Sequence, residues 1–175
     1  LQYAILFGVA LSFLLQILHM SNRIEVRELQ LVEGGFPTEK PAPRALGQDE
    51  VRVLRIRGSL FFASAQVLET QLPAVDKAKR TTLILVLRDV DDLGSTVIRL
   101  LKRYAASLQR AGGALMLAGV NEELLGQLER TGLADAVGAA NVFKERPELG
   151  AALNEAIFAA RARLPRTIPD EAVHD

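Results

Sequence analysis

A short apolar run, Leu83-Ile84-Leu85-Val86-Leu87, ends in an abrupt polar turn. Asp89, Asp91 and Asp92 follow within four residues, then Gly94, and a helical pattern opens at Ser95 or Thr96. This is the pattern of a buried strand whose carboxyl end turns into a helix. In open α/β sheets, binding sites gather outside the carboxyl ends of strands, near helix N-termini. The turn is therefore the first candidate for a working surface. Asp91, Asp92, Gly94, Ser95 and Thr96 are its candidate ligand- or partner-contacting residues.

The 175 residues suffice for one domain with a core plus an appendage. The appendage is the N-terminal stretch Leu1 to Met20, which holds no Asp, Glu, Lys or Arg. Its polar interruptions are Gln2, Ser12, Gln16 and His19. About 20 helical residues cross a bilayer core of roughly 30 Å, so residues 1–22 are expected to form a transmembrane helix. A signal peptide fits poorly: there is no initiator Met, no basic n-region and no small-residue cleavage pattern. The missing Met points to a fragment with more chain upstream. Arg23 and Arg27 follow at once, and the positive-inside rule puts what comes next in the cytoplasm.

Residues 24–32 alternate as a strand does, and the Pro- and Gly-bearing stretch after them reads as a tether, the two together filling 23–50. A second strand spans 51–57, with arginines alternating against apolar residues, and Gly58 ends it. Ser64 could cap a helix to about Lys79, which Pro73 would kink or interrupt. Residues 82–87 form a central strand, and 95–110 a helix that buries Val97, Ile98, Leu101, Tyr104, Ala105 and Leu108. A fourth strand spans 114–118, Asn121 N-caps a third helix ending at Gly132, and Val142-Phe143 is a short last strand. Pro147 opens a final helix to about Leu164, and 165–175 is a loose polar tail. The expected class is α/β: a mixed, mostly parallel sheet with packed helices over 51–164. Leu85, Val86, Leu101, Leu115 and Leu117 are expected at its core.

Lysine plus arginine equals aspartate plus glutamate, 21 each, so no electrostatic case for nucleic acid arises. The chain has no cysteine, and its two histidines, His19 and His174, sit near opposite ends. Neither a disulfide scaffold nor a His/Cys metal cluster can be built from these. There is no glycine fingerprint, no P-loop lysine motif and no serine, histidine and acid set, so no enzyme, catalytic residue or cofactor is expected.

The run Arg57-Gly58-Ser59-Leu60-Phe61-Phe62-Ala63-Ser64-Ala65 resembles the Gly-x-Leu-Phe-Phe-Ala-x-Ala segment of SulP anion permeases. There it closes the strand before the first helix of a cytoplasmic STAS domain. Free-standing STAS proteins usually lack the Phe-Phe pair. The strand-turn-helix at 83–108 is similar too, as is Arg23 to Val32 with its proline-bearing sequel. The likeness covers residues 1–162: a last transmembrane helix, then a STAS-like fold. It implies secondary transport of sulfate, bicarbonate or a dicarboxylate through helices upstream. The implied place is the inner (plasma) membrane with the STAS domain cytoplasmic, its job assembly, trafficking or regulation. Implied partners are the chain's own upstream membrane domain, a second copy in a homodimer, and the lipid bilayer through residues 1–20. The runner-up is a membrane-tethered STAS signalling module that binds a kinase or phosphatase.

The STAS turn typically reads Asp-x-Ser/Thr-Gly, and the hydroxyl is the phosphorylated residue in sporulation antagonists. Here Gly94 stands at the aspartate position, Ser95 at the variable one, Thr96 at the hydroxyl and Val97 at the glycine. Only the hydroxyl survives, so protein contact is expected at this turn rather than phosphorylation. Thr96 as phosphoacceptor stands beside Thr96 as N-cap or first-turn residue, with Ser95 sharing that role. Asp89, Asp91 and Asp92 could hold a divalent cation, or face water. Phe61 and Phe62 could dock on the membrane domain, or pack in the core. Lys77, Lys79 and Arg80 could meet anionic lipid, or be a solvated helix end. His19 could sense pH at a membrane edge, or be a spectator.

Overall fold

A computed structural model of the chain describes residues 2–21, 24–30, 37–58, 60, 64–88 and 90–165. The N-terminal stretch is one helix, α1 (Gln2–Ser21). Its side chains from Tyr3 to Gln16 are all exposed. Among the described residues no helix is long and apolar enough to cross a membrane. The helix expected over 1–22 is present over Gln2–Ser21, while its crossing of a bilayer does not follow from the fold.

The strands are β1 (Glu25–Gln30), β2 (Thr38–Pro41), β3 (Val51–Arg57), β4 (Thr82–Val86), β5 (Ala114–Val120) and β6 (Val142–Lys144). They form one sheet in the order β2-β1-β3-β4-β5-β6. The pairs from β3 to β6 are parallel, and β1 runs antiparallel to both its neighbours. In its register Glu25 lies opposite Arg57. The helices are α2 (Ser64–Gln71), α3 (Ser95–Arg110), α4 (Glu122–Arg130), α5 (Leu133–Val137) and α6 (Ala151–Arg161).

After Thr82, β4 is apolar, and β5 has no polar side chain, because both strands pack on their two faces. Leu83, Leu85, Leu115 and Leu117 point into a large core with Leu68, Leu101, Leu108, Leu124 and Leu128 from α2, α3 and α4. Ile84, Met116 and Ala118 point the other way, onto Ala156, Ile157 and Ala160 of α6. Gly119 interrupts this alternation with a bulge, and Val120 returns to the first face. At φ +77° Gly119 holds a conformation few side chains adopt, and an added Cβ would lie 3.2–3.3 Å from Arg88. Of the expected core, Leu85, Leu101, Leu115 and Leu117 are buried. Val86 is only half-buried, since α6 leaves its side of the sheet partly open.

Four departures from expectation have local causes. The stretch read as a tether contributes β2, and its later part pairs with the segment after α2. Leu46 N–H donates to Ala74 O and Ala74 N–H to Arg44 O, each at 2.9 Å, while Leu46 itself is buried. α2 stops at Gln71 rather than Lys79 because Pro73 cannot continue a helix. Gly132, in the left-handed conformation, ends the α4 region and starts the short α5, which the sequence reading omitted. The last helix begins at Ala151, after left-handed Gly150, rather than at Pro147. Residues 166–175 lie outside the described residues.

Candidate functional site

The turn after β4 is held down by apolar pegs. Leu87, Val90 and Leu93 are buried at a spacing of three, and Leu60, also buried, bridges to Leu93. Leu87 N–H donates to Ala118 O at 2.9 Å, Val90 N–H to Leu87 O at 3.0 Å and Gly94 N–H to Leu60 O at 2.8 Å. With those side chains inward, Asp91, Asp92 and Ser95 are left outward and exposed. Asp89, Ser59, Phe61 and Phe62 lie outside the described residues.

α4 grips the turn from the side. Asn121 caps α4 as expected, its Oδ1 accepting from Leu124 N–H at 2.8 Å, and its Nδ2 donates to Asp91 Oδ1 at 3.0 Å. Gln127 does more. Its Oε1 accepts from Leu93 N–H at 2.9 Å, and its Nε2 donates to Leu93 O at 2.9 Å and also to Asp92 Oδ1. Both carboxylates are thus engaged by amides. No metal-holding cluster occurs among the described residues, and what Asp91 and Asp92 do is fasten the turn to α4. Sequence reasoning missed Gln127: a lone polar residue on an amphipathic helix, with its partner 34 residues away, gives no local signal.

Gly94 takes the N-cap of α3, at φ −58° and ψ 147°, with no side-chain cap. Ser95 and Thr96 are therefore first-turn residues, and neither caps the helix. The cap must precede the first helical residue, and Gly94 fills that place already, fixed by Leu60. Ser95 is exposed, whereas Thr96 Oγ1 is buried with no hydrogen-bond partner. The outward face around the turn is acidic: Asp91 and Asp92 are joined by exposed Glu122 and Glu123 in the first turn of α4. Glu122 meets Lys144 at 3.4 Å. Such a face suits contact with a basic protein surface better than an anionic ligand.

The other expected residues are scattered. Lys77, Lys79 and Arg80 lie in the loop entering β4, at its amino end and away from the turn. Arg80 is committed to Asp49 through bonds of 2.6 and 2.7 Å. That bond and the charge of Arg80 draw the Asp49 carboxyl below its ordinary range. His19 falls in α1, and its side chain is outside the described ones.

With this geometry in place, comparison with known proteins is informative. The family model of the STAS domain matches residues 42–149. Putative sulfate transporter YvdB of Bacillus subtilis (strain 168) is 26% identical over 142 residues, 81% of this chain and 25% of that protein. The chain thus spans about a quarter of the length of that curated relative. The crystal structure of a sulfate transporter family protein from Wolinella succinogenes superposes with a TM-score of 0.54 at 27% identity, covering 65% of this chain and 86% of the other. The murine solute carrier 26 family member A9 anion transporter, in its inward-facing state, gives a TM-score of 0.65 at 16% identity. That match covers 91% of this chain and 26% of the transporter, and is a likeness of fold.

Proposed function

The chain belongs to the STAS domain family, and we propose that it is the cytoplasmic end of a SulP-type secondary anion transporter, following the last membrane helix. The observation that carries this reading is α1. Its large apolar side chains are bare: Phe7 is 71% and Phe13 66% exposed. So continuous an apolar surface needs lipid or protein to cover it. Arg23 and Arg27 directly after it support a cytoplasmic position for the domain.

The register of β1 supports a role for the turn. Glu25, where β1 begins, lies opposite Arg57, at the carboxyl end of β3. Only residues 22–24 separate α1 from β1, four steps of chain that reach at most about 14 Å. The carboxyl ends of the parallel strands, and with them the turn at 91–96, therefore lie on the membrane-facing side of the domain. Its acidic face meets the Lys/Arg-rich cytoplasmic face of the chain's own membrane domain, or a second protomer of a dimer. The docking role expected of Phe61 and Phe62 is part of the same proposal. The transported anion is sulfate, bicarbonate or a dicarboxylate, and this part of the protein assembles and regulates the transporter.

The test is uptake of labelled sulfate, bicarbonate and succinate into proteoliposomes carrying the full-length protein. Uptake of one of them, diminished when residues 24–175 are deleted, is the expected result. No uptake by folded full-length protein would overturn the transport reading. Undiminished uptake without residues 24–175 would overturn the regulatory one.

A further inference from the structure

The second face of the sheet has too little cover. Six strands span about 24 Å, and a single helix with its side chains is about 10–12 Å across. Among the described residues only α6 packs on that side, against Ile84, Met116 and Ala118. Beyond the N-terminus of α6, at the carboxyl ends of β3, β4 and β5, a cleft of about 340 Å³ remains. Its floor includes Val86, Ala118 and Leu153, and its rim carries Arg55, Arg88 and Arg146. The half-exposure of Val86 is explained by this opening.

Arg88 and Arg146 hold more donors than their carboxylate partners use. Arg88 Nε meets Glu145 at 3.2 Å, and Arg146 Nη2 meets Glu155 at 3.0 Å. Arg55 Nη1 lies 3.9 Å from a Glu39 oxygen that Arg57 engages more closely, at 2.9 Å. A guanidinium offers five N–H donors, so Arg88 and Arg146 each retain donors for a further acceptor. The Gly119 bulge brings the β5 backbone against that of Arg88 and so sets where this side chain leaves the sheet. Glu145 lines the cleft as well and is the carboxylate that Arg88 meets.

We propose that this cleft binds a small organic anion with an apolar body. Arg88 and Arg146 hold its charged group, and its body lies on Val86, Ala118 and Leu153. An apolar floor with a few convergent polar groups is the usual make-up of a small-molecule site. Planar guanidinium donors favour a carboxylate, sulfonate or phosphate over a neutral head. The inference stands apart from the transport reading, since it uses neither α1 nor the turn at 91–96.

The experiment follows amide NMR shifts of Gly119, Gly150 and Leu153, with the chain held in phosphatidylcholine nanodiscs. The probes are 2-naphthoate, its neutral analogue 2-naphthalenemethanol, and inorganic sulfate. Saturable shifts with naphthoate alone are expected. Arg88→Gln should weaken binding about tenfold, the factor expected from one charge-assisted hydrogen bond. Arg110→Gln, away from the cleft, should leave binding unchanged. If Arg88→Gln fails to fold, Arg146→Gln on the exposed rim takes its place with the same expectation. Equal binding of the neutral analogue would overturn the role of the arginines, and equal binding of sulfate that of the apolar floor. No saturable shift at those amides would overturn the site itself.

Discussion

Gln127 on α4 and Leu93 in the β4–α3 turn are joined by a two-way clasp: the glutamine amide both accepts from Leu93 N–H and donates to Leu93 O, each at 2.9 Å. A side-chain amide here takes the place of a neighbouring strand. It satisfies both backbone groups of a residue that is only 1% exposed.

Gln127→Ala would leave those two backbone groups without protein partners. The expected loss is about 1–3 kcal/mol of stability, the cost of buried groups left unsatisfied. Chemical denaturation of the full chain reads it directly. A loss below about 0.5 kcal/mol, the range of surface substitutions, would mean that water replaces the clasp without penalty.

Leu101 is fully buried on α3, among Leu68, Leu85 and Leu117. Leu101→Ala should cost about 2–5 kcal/mol, while Lys102→Ala next to it loses one contact to Thr131 O and should cost less. Equal losses at the two positions would show that the cavity term is absent.

Thr96 Oγ1 is buried with no partner, so its desolvation is uncompensated. Thr96→Val keeps the shape and removes the hydroxyl, and should raise the melting temperature or leave it unchanged. In the uptake assay Thr96→Ala should alter transport little. Thr96→Glu should impair it, because a carboxylate would replace a buried hydroxyl next to the turn that carries Asp91 and Asp92. Loss in Thr96→Ala with rescue in Thr96→Glu would instead indicate a phosphorylation switch.

Glu50 gives a pH dependence of known sign. Burial pushes its carboxyl up, but the Arg52 hydrogen bond, the Gly47 N–H and the charge of Arg52 together hold it below the ordinary value of 4.5. The Arg52 contact is 2.7 Å and the Gly47 bond 2.6 Å. A carboxyl depressed on folding stabilises fully above its unfolded value, and that share is lost as pH falls through the folded one. Thermal melts taken from neutral pH downward should fall less steeply below 4.5 in Glu50→Gln than in the parent chain. Parallel curves would remove Glu50 from acid unfolding.

The core layers were legible in the sequence because their signal is local. Leu83 to Leu87 and Ala114 to Ala118 are unbroken apolar runs, and α3 shows an apolar stripe, so strand, helix and order follow from period alone. β2 was not legible, since Thr38–Pro41 has no apolar alternation and is a strand only through its pairing with β1. The same holds for Leu46, whose partners lie at Ala74. At the candidate site the position of the turn could be read from Asp91 to Thr96. What secures it could not, because Gln127 acts across 34 residues of chain. The cap at Gly94 was missed because a glycine carries no capping side chain to recognise.

The placement of β1 also sets how the domain bears load. The strand that follows α1 is an interior strand, bonded to β3 over Glu25 to Glu28 and to β2 over Arg27 to Gln30. A pull from the α1 side runs along β1, so it shears two ladders at once instead of unzipping a free edge one bond at a time. Tension arriving at β1 therefore passes into two ladders of the sheet before the domain yields.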